Sequence, residues 1–132
     1  VFENGHRRGA VVRPDADILV ATNHFTSPLM KDCFVDTEPP PLQGNTFHRY
    51  QKVRQALAAA HGLIDVTEAK QLMVSHDGPL ASLCRHPLPE STSSTISTTI
   101  LLPAQRRIHF CHGQPCQAVY SILDCPLPNG QL

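Results

Sequence analysis

The sequence predicts an α+β fold, and three observations carry that prediction. Two segments in the middle of the chain place apolar residues at helical spacing. Short apolar or β-branched runs lie before and after them, and turn-forming residues separate the runs. Strands grouped apart from helices favour segregated α+β layers over alternating βαβ units.

The elements follow in order. Gly9-Ala10-Val11-Val12-Arg13 reads as a short strand and Pro14-Asp15-Ala16-Asp17 as a turn. Residues 18–22, closing on Ile18-Leu19-Val20-Ala21, read as a second strand, so the pair is expected to form a hairpin. Residues 26–45 hold Pro28 and Pro39-Pro40-Pro41, with Gly44 behind them. That composition predicts a surface loop, either a substrate-contacting segment or a plain linker. Asn45 or Thr46 can cap a helix running to about His61, with Tyr50, Val53, Leu57 and Ala60 at helical spacing and Gly62 at its end. Asp65 or Thr67 can cap a second helix lined by Ala69, Leu72 and Met73, with Gly78 behind it. Residues 79–92, with Pro79, Pro87 and Pro89, read as a loop.

The last third is β-like. Thr92 to Leu102 is rich in β-branched residues. Pro103–Arg106 turns the chain, Ile108 and Phe110 belong to a returning strand ending near Cys111, and Gly113-Gln114-Pro115 turns it again. Gln117–Leu123 completes a three-stranded meander, and a Pro-rich tail follows. The chain shows no internal repeat.

Composition narrows the function classes. The 132 residues suit one domain or half of a larger one. The formal net charge of zero offers no electrostatic footprint for nucleic acid or an anionic membrane. No apolar run reaches the length of about 18 residues needed to span a bilayer. Val1-Phe2-Glu3-Asn4-Gly5 has neither the basic start nor the apolar run of a signal peptide, and the missing start Met leaves room for sequence upstream. Five cysteines, an odd number, favour reduced thiols in a cytoplasmic compartment, most of them acting as small buried hydrophobes.

The phrase Ala21-Thr22-Asn23-His24-Phe25 closes the second apolar run. An Asn where a strand stops can aim its carboxamide N–H into a cleft, where a reacting carbonyl oxygen needs a donor. The plainer alternative is that Asn23 only terminates the strand. Further on come Thr46-Phe47-His48-Arg49-Tyr50-Gln51-Lys52-Val53-Arg54, Leu83-Cys84-Arg85-His86-Pro87, Ser94-Thr95-Ile96-Ser97-Thr98-Thr99 and Gly113-Gln114-Pro115-Cys116. Taken in order, this set resembles the C-terminal part of the C45 group of N-terminal-nucleophile (Ntn) hydrolases. That group contains the acyl-coenzyme A:6-aminopenicillanic acid acyltransferases and linear amide hydrolases.

The resemblance implies the C-terminal portion of an αββα sandwich, with residues 1–132 belonging to a single domain whose nucleophile segment lies upstream. It implies an acyltransferase or amidase in which an N-terminal Cys, freed by self-cleavage, attacks an amide or thioester carbonyl. None of the five cysteines here is N-terminal. Asn23 matches the oxyanion-hole Asn. Arg49 matches an Arg that orients the nucleophile and favours its thiolate, although Asn45 stands where the family often has Ser. The alternative for Arg49 is a solvated helix residue. His24 and Phe25 are expected at the substrate wall, His24 alternatively as a structural residue. A small-molecule amide or acyl-coenzyme A is the expected substrate, and no cofactor is expected.

Two other classes compete. His109, Cys111, His112 and Cys116 offer four potential zinc ligands, without a second ligand pair at finger spacing. Cys84-Arg85-His86-Pro87 reads as a packed Cys in a Pro-bounded turn, or as a loop near the site. A non-catalytic binding module on the same layers is the third class.

Overall fold

A computed structural model describes residues 1–126; the Pro-rich tail expected at the end of the chain lies, from residue 127 onward, outside the described residues. Helices and antiparallel sheets coexist, as an α+β protein requires. Two compact units divide the chain. One takes residues 1–64 and 76–82, the other residues 65–75 and those from 83 onward.

In the first unit, β1 (Phe2–Asn4) pairs antiparallel with β2 (Gly9–Val11). The expected hairpin between 9–13 and 18–22 is therefore replaced by one with residues 2–4. Beyond β2 the Pro14–Asp17 turn does form, but the pairing stops at the single bridge Asp15↔Ile18. Ala16 and Asp17 both take positive φ there, 47° and 62°, as in a two-residue hairpin turn. The pattern of β1 is inverted for a strand at a core: Phe2 and Asn4 face solvent while Glu3 is buried. That glutamate is satisfied inside. Its carboxylate accepts from the Thr26 amide and hydroxyl, both at 2.6 Å, and from the Ser27 amide at 2.9 Å.

Residues 26–45 are more than a surface loop. They contain two 3-10 helices, Pro28–Cys33 and Pro40–Leu42, each opened by a proline whose missing N–H costs nothing there. Met30 and Leu42 from these turns are fully buried. Gly5 lies so close to the first turn that a Cβ would sit 3.2 Å from Met30 Cε and 3.3 Å from Cys33 Sγ. Asp36 ties the segment together by accepting from the Glu38 amide at 3.1 Å and the Gly44 amide at 2.7 Å.

Helix α1 (Asn45–Ala59) follows. Its N-cap is Gly44 rather than Asn45 or Thr46, with φ 79°, a conformation glycine adopts without strain. Asn45 becomes the first helical residue, and its side chain donates back to the Leu42 carbonyl at 2.9 Å. Gly62 takes the positive φ expected beyond the helix. A short helix, Gly78–Ala81, packs against α1 where a loop was expected.

The second unit contains α2 (Val66–Met73) and the expected meander of β3 (Ser97–Leu102), β4 (Arg107–His112) and β5 (Ser121–Asp124), in the order β3-β4-β5. Asp65 caps α2 in a reciprocal box with Glu68. The strands are shorter than the β-branched composition suggests: β3 starts at Ser97 rather than Thr92, and β5 at Ser121 rather than Gln117. Between Gly113 and Ala118 the backbone coils instead, with Gln117 and Ala118 both donating to the Gln114 carbonyl. Thr98, His109 and Cys111 are buried on one sheet face. On the opposite face Leu101, Ile108 and Leu123 align across the three strands, and Leu101 and Leu123 are more than half exposed.

Candidate functional site

The end of the apolar run at 18–22 is tied to the first turn of α1 by one residue, Thr46. Its hydroxyl accepts the Asn23 backbone N–H at 2.9 Å. Its carbonyl accepts the Thr22 hydroxyl at 3.1 Å. His24 Nδ1 completes the knot, 2.9 Å from the Thr22 hydroxyl and 3.1 Å from the Thr46 hydroxyl. The Thr22 proton is committed to the Thr46 carbonyl, so the network assigns the proton on His24 to Nδ1, which donates to Thr22.

Asn23 thus has a fixed backbone and an exposed side chain. Among the described residues its carboxamide makes no hydrogen bond, so its N–H donors face outward uncommitted. It lines a cavity of about 160 Å³ with Asn45, Thr46 and residues 34–38. Arg49 lies one turn into α1 and donates from Nη2 to Asn45 Oδ1 at 3.1 Å. Asn45 therefore supplies the acceptor four residues before the arginine, the spacing at which helical side chains meet. Arg49 is held rather than freely solvated.

His24 is buried, at 8% exposure, and does not stand on an open wall. Its ring lies 4.0 Å from Phe47 and edge-on to Tyr50 and Phe34. Burial pushes the imidazole below its ordinary range; Glu3 opposes this and Arg49 reinforces it. The hydrogen bonds of His24 to Thr22 and Thr46 and its ring contacts hold it in place. His24 and Phe25 nevertheless edge a cavity of about 570 Å³ with Lys31, Phe34, Phe47 and Tyr50. Phe34, from the segment at 26–45, lines both cavities.

The second unit holds a different cluster. Cys84 Sγ lies 3.4 Å from Cys116 Sγ, and His86 Nε2 lies 3.6 Å from the first sulfur and 3.2 Å from the second. The grouping expected at His109, Cys111, His112 and Cys116 is not the one that forms. His109 and Cys111 are buried on one face of β4 and His112 is exposed on the other, while Cys116 turns to Cys84 and His86. Burial, with the neighbouring Cys116 and Cys111, pushes the Cys84 thiol above its ordinary range. The Cys-x-His spacing at 84–86 was the available signal in the sequence; pairing with a cysteine 32 positions on was not.

The fold is α+β, with the Asn23 carboxamide on chain bonded to the start of α1 and the Arg49 guanidinium one turn into that helix. Compared with known proteins, the chain matches no protein-family model, no curated protein and no solved structure. Among the described residues, no helix is long and apolar enough to cross a membrane.

Proposed function

We propose that this chain is the oxyanion-side portion of an Ntn-type cysteine acyltransferase or amidase acting on carbon–nitrogen amide bonds. The observation that carries the reading is the Thr46 knot. It fixes the backbone of Asn23 to the helical turn that bears Arg49, while leaving the Asn23 carboxamide uncommitted. A donor on a rigid support, uncommitted before reaction, is what a developing oxyanion needs.

In this mechanism a Cys thiolate on an upstream segment attacks the substrate carbonyl. Asn23 donates an N–H to the oxyanion of the tetrahedral intermediate. The intermediate collapses as the α-ammonium of that N-terminal Cys, which took up the thiol proton, protonates the leaving amine, and a cysteinyl thioester remains. Water or an acceptor amine then takes the acyl group and returns the thiolate. Arg49, aligned by Asn45, favours the anionic sulfur by its positive charge. His24 and Phe25 edge the substrate cavity. The sheet face carrying Leu101, Ile108 and Leu123 suits a second sheet stacked on it, as the sandwich requires. A cytoplasmic location fits the five free thiols.

The test is Asn23→Ala in the complete protein with its upstream segment. Turnover of amide or acyl-coenzyme A substrates is expected to fall about 10²- to 10³-fold with folding unchanged. Unchanged turnover removes the oxyanion assignment. The 132-residue chain alone is expected to be inactive; amidase activity from it would place the nucleophile within it.

A further inference from the structure

We propose that Cys84, His86 and Cys116 bind a zinc ion. The proposal is independent of the acyl-transfer reading and uses none of its residues.

The geometry is the first argument. The three donor atoms form a triangle with edges of 3.4, 3.6 and 3.2 Å. A zinc ion takes thiolate sulfur at about 2.3 Å and imidazole nitrogen at about 2.0–2.1 Å in a tetrahedron. Those lengths require edges of about 3.8 Å between sulfurs and about 3.6 Å between sulfur and nitrogen. Shifts of a few tenths of an ångström bring all three atoms onto one metal. The triad supplies three corners and leaves the fourth to a further ligand.

The second argument is support. The backbone at Leu83 and Cys84 donates twice to the Ser75 carbonyl, at 3.2 and 3.3 Å. Thr95 then brackets Arg85 from both sides: its hydroxyl accepts the Arg85 amide at 2.9 Å, and its own amide donates to the Arg85 carbonyl at 3.0 Å. Cys116 sits in the coil closed by Gln117 and Ala118 on Gln114, which hangs from the Gly113-to-Ile96 bond at 2.8 Å. Both sulfurs are thus delivered by anchored backbone, which lowers the entropy cost of assembling a site.

Donor chemistry selects the metal. Two thiolates and an imidazole form a borderline-soft set that suits zinc and excludes calcium and magnesium, which need oxygen ligands. Zinc also neutralises the two thiolate charges, one of which lies on the buried Cys84. A Cys84–Cys116 disulfide would account for the two sulfurs but not for the imidazole nitrogen beside both of them.

The experiment uses the full chain, purified under reducing conditions without chelator. Elemental analysis is expected to find about one zinc per chain. Replacement by cobalt is expected to give a thiolate-to-cobalt charge-transfer band. Cys116→Ser and His86→Ala should lose metal and band, while Cys33→Ser and Cys125→Ser keep both. Cys116 is exposed, so its substitution leaves the core intact should Cys84→Ser fail to fold. No stoichiometric metal in the reduced protein, undiminished metal in Cys116→Ser and His86→Ala, or a Cys84–Cys116 disulfide that persists under reduction would each overturn the proposal.

Discussion

The Thr46 hydroxyl accepts the Asn23 backbone N–H at 2.9 Å, across 23 positions of chain. Thr46 is buried, and the same oxygen lies 3.1 Å from His24 Nδ1. Thr46→Val keeps the shape and removes the acceptor. It is expected to lower stability by about 1 kcal/mol, since the part-buried Asn23 amide loses its acceptor. Thr46→Ser should recover most of the loss. Urea unfolding of the three proteins checks this, and a valine variant as stable as the parent would contradict the knot.

His24 predicts a pH dependence. Its folded pKa lies below the ordinary 6.5, chiefly through burial. The unfolded chain therefore binds the proton more readily than the native one. The contribution of the neutral ring is fully present above pH 6.5 and declines as pH falls from there toward the lower folded value. His24→Gln is expected to flatten this part of the stability profile. Denaturant midpoints between neutral and mildly acidic pH give the comparison, and parallel profiles would contradict it.

Glu3 acts in the acid range, where the native state again disfavours the proton. Burial pushes its carboxyl up, but the Thr26 and Ser27 hydrogen bonds outweigh this and hold it below the ordinary 4.5. Its contribution is present above pH 4.5 and lost as pH falls through the folded value. Glu3→Gln should destabilise the neutral protein by roughly 1.5–3 kcal/mol, the usual worth of hydrogen bonds to a charged group. Unfolding followed from neutral to acid pH is expected to show the variant and parent converging as the parent's carboxylate protonates.

Arg49→Lys tests geometry against charge. Lysine keeps the positive charge but loses the planar fork that reaches Asn45. Under the proposed acyl-transfer mechanism, the pH–rate profile of the lysine variant is expected to retain its nucleophile limb while kcat falls. An Arg49→Met variant should move that limb upward, because the thiolate loses its neighbouring cation. An unmoved limb in the methionine variant would make Arg49 structural only.

Much of the fold was legible because periodicity and punctuation are local. The heptad-like spacing of α1, the Asp65 cap of α2, Gly62, and the turns at 103–106 and 113–115 depend on neighbours within a few residues. The first hairpin was less legible because its inward residue is charged. Glu3 reads as a solvent residue until Thr26 and Ser27 are seen to satisfy it. The segment at 26–45 reads as loop because proline starts short 3-10 turns as readily as it breaks helices, and only packing shows Met30 and Leu42 inside.

By itself the sequence determined the α+β class, the Asp65 cap of α2 and the residue types at Asn23 and Arg49. The tertiary structure decided which of them meet. Thr46 binds Thr22, Asn23 and His24 from more than 20 positions away, and Cys116 leaves its near neighbours His109, Cys111 and His112 for Cys84 and His86. Spacing along a chain constrains residues within one turn or one strand pair. Partners across long separations are set by how whole elements pack, and that information lies in no short stretch of sequence.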